Sequence, residues 1–257
     1  MSLRRWREAG LIIPTLMTLA MLPVLISLGT WQWHRKAWKE DLIARLAAGR
    51  TAAPVSLGEV LGRYKAGENI EYTRVRATGT FQHDSERHVY APHEESQGWD
   101  VYTILGTEAG PVYVLRGWVP DKLKDAATRH DGQVPGPVTV TGLARLPESK
   151  GYFTPDDDAK GNRWFHRDAI EFQWNGASPD ERARELPAGI LPFTIDAEPE
   201  PANPGGWPKA TPTEIRLGNR HLEYVVTWWG LAVTLLVVYG LFVRQRLKKT
   251  ESDAPTT

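Results

Sequence analysis

The chain has 257 residues, with 31 Lys and Arg balanced by 31 Asp and Glu, 7 His, 3 Met, 11 Trp and no Cys. Zero formal net charge excludes the basic field that a general nucleic-acid binder uses to hold a polyanion. Without Cys there is no disulfide framework, thiolate zinc site, Cys-held iron–sulfur cluster or covalently attached haem, so any metal or cofactor rests on His, carboxylate or non-covalent packing.

The apolar residues are strongly segregated. After a short tail of residues 1–10, the 23 positions from Leu11 to Trp33 carry no charge, enough helix to cross a bilayer core of roughly 30 Å. A cleaved signal peptide is the alternative, because Arg4, Arg5 and Arg7 form a basic start and Pro14 and Pro23 weaken a helix. Against it, the run is long and ends in Trp31 and Trp33 with no A-x-A-like exit. Residues 11–33 are therefore read as a first transmembrane helix, and Lys36–Ala48, with Trp38, Leu42 and Leu46 near helical spacing, as its outward continuation.

Residues 34–186 are read as a β-rich domain. Tyr72–Phe81 alternates, placing Val75, Ala77, Gly79 and Phe81 on one face. Further strands are expected at His88–Tyr90, Val101–Leu105, Val112–Val119 and Val138–Leu143, separated by Gly and Pro, in an antiparallel, meander-like sheet. A short helix is expected over Asp121–Thr128 with Asp121 as N-cap. Residues 187–212 hold seven Pro, so 187–220 is read as an extended strap returning the chain to the membrane. Residues 221–243 then form a second transmembrane helix with its entry, built on the 20 uncharged residues Tyr224–Val243, and 244–257 a second tail. The fold class is thus two transmembrane helices flanking a mostly antiparallel β domain with a few short helices.

Arg244, Arg246, Lys248 and Lys249 follow the second span without an intervening acid, which places both tails in the cytoplasm and the domain outside. Trp31 and Trp33 end the first span while Trp228 and Trp229 lie near the start of the second, so all four belong to one aromatic belt at the outer face.

Catalytic signatures are absent: there is no G-x-S-x-G elbow, H-E-x-x-H helix, phosphate loop or G-x-G-x-x-G, and no enzyme is expected. Asp156-Asp157-Asp158 opens like a calcium loop but fails where Lys160 and Arg167 replace ligands, and reads as a solvated acidic turn. His83, His88 and His93 recur every five residues, a spacing that gathers imidazoles on neither a strand nor a helix. Three Met and no Cys disfavour a copper carrier. His221 stands just before the second span, where His221, Tyr224, Val225, Trp228 and Ala232 share a helical stripe. An imidazole above an aromatic and small-residue surface could serve a flat apolar macrocycle with its iron on the ring nitrogen, but the residues alone favour a polar His at the membrane interface.

Four segments resemble the surfeit-locus-1 family of cytochrome c oxidase assembly factors, bacterial members included. They are Leu28-Gly-Thr-Trp-Gln-Trp-His-Arg-Lys-Ala-Trp-Lys39, Tyr72–Phe81 with Gly98-Trp-Asp-Val-Tyr-Thr-Ile-Leu105, Arg116-Gly-Trp-Val-Pro120 with Gly151–Pro155 and Trp164–Asp168, and Asn219-Arg-His-Leu-Glu-Tyr-Val-Val-Thr-Trp228. The resemblance implies a multi-pass protein of the bacterial inner (cytoplasmic) membrane with a periplasmic domain, a chaperone in respiratory-chain assembly that works with oxidase subunit I and haem a synthase. It further implies transient binding of haem a, with His221 as axial ligand of the haem iron and Trp228, Tyr224 and Trp31 around it, or alternatively a haem-independent scaffold for subunit I. His34 departs from the family pattern, and its place at the end of the first span makes it a candidate for a second axial position. Phe165 stands where Tyr is common in the family and inherits no role.

Overall fold

A computed structural model describes residues 6–7, 9–93, 96–174, 189–210 and 221–252. They fall into two compact units, one of residues 1–44 with 215–257 and one of residues 45–214.

The first unit is a helix pair. Helix α1 runs over Ile12–Thr51 and α4 over His221–Ser252, each long and apolar enough to cross a membrane. The α1 helix continues without interruption through Pro23, a residue that membrane helices tolerate because neighbouring groups satisfy the freed carbonyl. It also continues past Lys36 to Thr51, as the spacing of Trp38, Leu42 and Leu46 predicts. Hydroxyls of Thr15, Thr18 and Thr30 donate to the carbonyls of Leu11, Pro14 and Ile26, which hides these polar groups in an apolar stretch.

The second unit is a strongly bent sheet of six strands: β1 Val55–Ser56, β2 Arg74–Tyr90, β3 Gly98–Thr107, β4 Val112–Pro120, β5 Pro137–Arg145 and β6 Thr194–Ala197. The β2–β3–β4 portion is the expected antiparallel meander. Beyond it the topology differs. The β5 strand pairs with β2 and β6 rather than with β4, β6 pairs parallel to β4, and β1 pairs parallel to β2. The ring β2–β3–β4–β6–β5 closes on itself through the β5–β2 pairing, which removes free edges from those strands. Val75, Ala77, Leu105, Val112, Val114, Phe193 and Ile195 fill the enclosed core, with Leu57 and Val60 of α2 (Leu57–Lys65). Phe81 packs against it, as the alternation predicts.

Three local readings change. His88–Tyr90 is the far end of β2, not a separate strand, because a bulge between Gln82 and Arg87 lets one long strand keep pairing with β3. Asp121–Thr128 forms two single 3-10 turns rather than a helix, and Asp121 caps neither: its carboxylate accepts from Trp99 Nε1 at 2.8 Å, while Asp125 caps the second turn. The Pro-rich strap carries β6, since the five residues Phe193–Ala197 lie between Pro192 and Pro199 and are free to pair on both sides. Helix α3, Ala169–Trp174, brings Phe172 onto Tyr102, Tyr113 and Trp164 on the opposite side of the sheet.

Candidate functional site

Helices α1 and α4 meet at two levels. Near one end Thr15 and Tyr239 share a hydrogen bond of 2.6 Å. Near the other, the rings of Trp33 and Trp229 stack at 6.4 Å between centroids with 24° between planes. Trp229 also lies directly on Gly29, where a Cβ would come within 2.3 Å of its Cδ1 and Nε1. A glycine at this point lets a helix and a large ring approach closely, the usual device of helix pairs in membranes. Gly29→Leu is therefore expected to push the pair apart, at about 1–3 kcal/mol for overpacking. The chain has no Cys, so bis-maleimide bridging of Thr15→Cys to Tyr239→Cys reads the effect, with a yield expected to fall on the order of five-fold.

Of the residues singled out in the sequence, His221 is the first residue of α4, and its side chain lies outside the described residues. Tyr224 and Trp31 are 48% and 57% exposed. Trp228 is half-buried, and Val225 and Ala232 of the same stripe are buried. The aromatic ring pair that joins the two helices is Trp33 with Trp229. Trp33 and Trp229 are themselves 49% and 42% exposed, so aromatic side chains stand partly free on several sides of this end of the pair. His34, next to Trp33, is exposed.

The contact of Trp229 with Gly29 closes the gap between the helices at that level, so the available surface is on the outside of the pair.

In the β domain the three spaced histidines go separate ways. His83 Nε2 donates to the Val134 carbonyl at 2.9 Å, His88 Nδ1 accepts from Asn162 Nδ2 at 3.0 Å, and the His93 ring lies tilted against Trp118 with centroids 5.1 Å apart. Among the described residues no group of three or more His, Asp or Glu could hold a metal ion. The acidic turn is satisfied internally: Asp158 accepts from Gly161 N and pairs with Arg163, and Asp157 pairs with Lys150 and accepts from Phe165 N. Trp118 is tied down, donating to the Ala91 carbonyl at 2.7 Å and packing against His93 and Trp207.

The bulge in β2 turns Glu86 inward to meet Arg129, Arg116 and His88. Arg129 bonds both carboxylate oxygens, Arg116 Nη1 stands 3.7 Å from one, and His88 Nε2 stands 3.5 Å from the other. Burial alone would raise the Glu86 carboxyl, but hydrogen bonds from His88 and Arg129 and the Arg129 charge outweigh it and hold it at about 2. Burial pushes the His88 imidazole down. Arg116 reaches this cluster from a second bulge, where Gly117 adopts φ 138°. Only glycine fits there, because a Cβ would meet the backbone of Lys209 and Ala210 at about 2.5 Å, where Lys209 pairs with Trp118.

Compared with known proteins, the chain matches the SURF1 family over residues 19–233, a range that takes in most of α1, the β domain and the first 13 residues of α4. It is 32% identical over 259 residues to surfeit locus protein 1 of Gallus gallus, covering 93% of this chain and 76% of that protein. To surfeit locus protein 1 of Homo sapiens it is 32% identical over 246 residues, covering 88% and 77%. The SURF1-like protein of Drosophila melanogaster is 31% identical over 239 residues, covering 85% and 74%. On a family match that spans most of its length and relatives of this identity and coverage, the chain belongs to the SURF1 family.

Proposed function

We propose that this chain is a non-catalytic, membrane-anchored assembly factor for cytochrome c oxidase that carries haem a on the α1–α4 pair and assists its insertion into subunit I. The observation that carries the assembly role is the SURF1 match running from within α1 through the β domain into the start of α4. Haem a is the cargo: it comes from haem a synthase in the same membrane and leaves with subunit I. The basic run Arg244, Arg246, Lys248 and Lys249 supports cytoplasmic tails, and with them a periplasmic β domain in a bacterial inner membrane.

His221, opening α4, would supply the axial nitrogen, and the exposed faces of Trp31, Tyr224, Trp33 and Trp229 would cover the macrocycle. One axial bond and a surface open to lipid allow release, where a closed cage would make departure slow.

A haem-independent scaffold for subunit I is the second reading. The direct contact of Trp229 with Gly29 and Trp33 favours it, because a pair already closed needs no cargo to fill it. The test is to delete the chromosomal copy and restore it either unchanged or as His221→Ala, then measure assembled oxidase. The carrier reading expects assembly to fall on deletion, to return with the unchanged chain and to stay low with His221→Ala. Full return with His221→Ala favours the scaffold, and assembly unaffected by deletion overturns both.

A further inference from the structure

We propose that the β domain holds a binding site for a small apolar molecule bearing one carboxylate, in the cleft between β5 and residues 197–210. The inference goes beyond the oxidase reading and does not depend on it.

The cleft encloses about 300 Å³, at the small end of the range of ligand sites, roughly 300–1,000 Å³. Phe81, Val138, Val140, Ala197, Pro201 and Pro204 make its walls mostly apolar. One cation stands on that wall. Arg116 is 2% exposed, and its guanidinium lies over the Phe81 ring at 4.8 Å. Its Nη2 donates to the Gly132 carbonyl and stands 3.5 Å from Asn203 Oδ1, while Nε and Nη1 make no hydrogen bond. Buried donors without acceptors are costly, and more so on a charged group.

The charge count points the same way. Arg116 and Arg129 both lean on Glu86, so one carboxylate answers two guanidiniums. Burial lowers Arg116 to about 10, and it stays a cation at neutral pH. The other acids on the cleft do not supply the missing charge: Glu198 is bonded by Arg74 at 2.7 and 2.9 Å, and Glu200 is exposed. A single carboxylate on an apolar body would satisfy an Arg116 donor and fill the walls. A polyanion would meet Glu198 and Glu200, which restricts the class to monoanions.

The probe is 2-naphthoate, with 2-naphthalenemethanol as its uncharged counterpart, titrated calorimetrically into the full chain in lipid nanodiscs and corrected for empty nanodiscs. The proposal expects saturable one-to-one binding of the acid, at least tenfold weaker binding of the alcohol, and at least tenfold weaker acid binding by Arg116→Gln. Val138→Trp, which fills the cleft and leaves Arg116 in place, is expected to abolish binding and keeps the test open should Arg116→Gln fail to fold. No saturable binding of the acid, equal binding of the alcohol, or undiminished binding by folded Arg116→Gln or Val138→Trp would overturn it.

Discussion

Replacing Glu86 with Gln is expected to cost the β domain about 3–5 kcal/mol, the range seen when one partner of a buried ion pair is removed. Gln preserves the shape of the side chain and removes only the charge. What remains is Arg129 and Arg116, each 5% exposed or less, facing one another without a counterion. Domains are commonly stable by only about 5–15 kcal/mol, so the loss takes a large share of the margin. Urea unfolding followed by tryptophan emission measures it, and a change below about 1 kcal/mol contradicts the account of the cluster.

The same residue sets an acid limb. The Glu86 carboxyl lies at about 2 in the folded chain against 4.5 for the free group, so the folded state binds its proton less readily than the unfolded state. Its stabilisation is fully present above about pH 4.5 and is lost as pH falls toward 2, to a total of about 3 kcal/mol. His88, whose ring is also lowered by burial, adds a loss of the same sign starting nearer neutrality. In Glu86→Gln the part of the acid limb below pH 4.5 is expected to flatten, while the part due to His88 persists.

The residues also explain what their order in the chain reveals. The two spans are legible because an uncharged run of twenty or more residues has few other uses. The inward face of β2 is legible as far as Phe81 because period-two alternation holds to that point. Past it His83 and Ser85 still keep to the less exposed face, and then the bulge between Gln82 and Arg87 reverses the parity: unbroken alternation would bury Arg87, and instead Glu86 and His88 are buried. Nothing in the local composition marks that reversal. The β6 strand is hidden for another reason, since a four-residue strand among seven Pro leaves too short a pattern to read. On α4 the stripe drawn from His221 does find buried Val225 and Ala232 and half-buried Trp228, but it misses Trp229, which lies on Gly29 about 100° further round the helix than Trp228. The signal that could have found it is Gly29, a small residue facing a membrane neighbour.

The central claim is that haem a is carried and that His221 holds it. With the axial nitrogen gone, the exposed aromatic side chains at this end of the helix pair would offer an apolar ring only non-specific affinity, since a bond to iron gives orientation that dispersion contacts do not. His34→Ala in parallel reads the second axial position: a changed haem spectrum assigns it, and an unchanged one removes it. The decisive measurement is the absorption spectrum and extracted pigment of detergent-purified protein, native and His221→Ala, from cells that make haem a. The account predicts haem a in the native protein and its loss from a folded His221→Ala. Colourless native protein that still co-purifies with oxidase subunits, or full haem a content in His221→Ala, would contradict it.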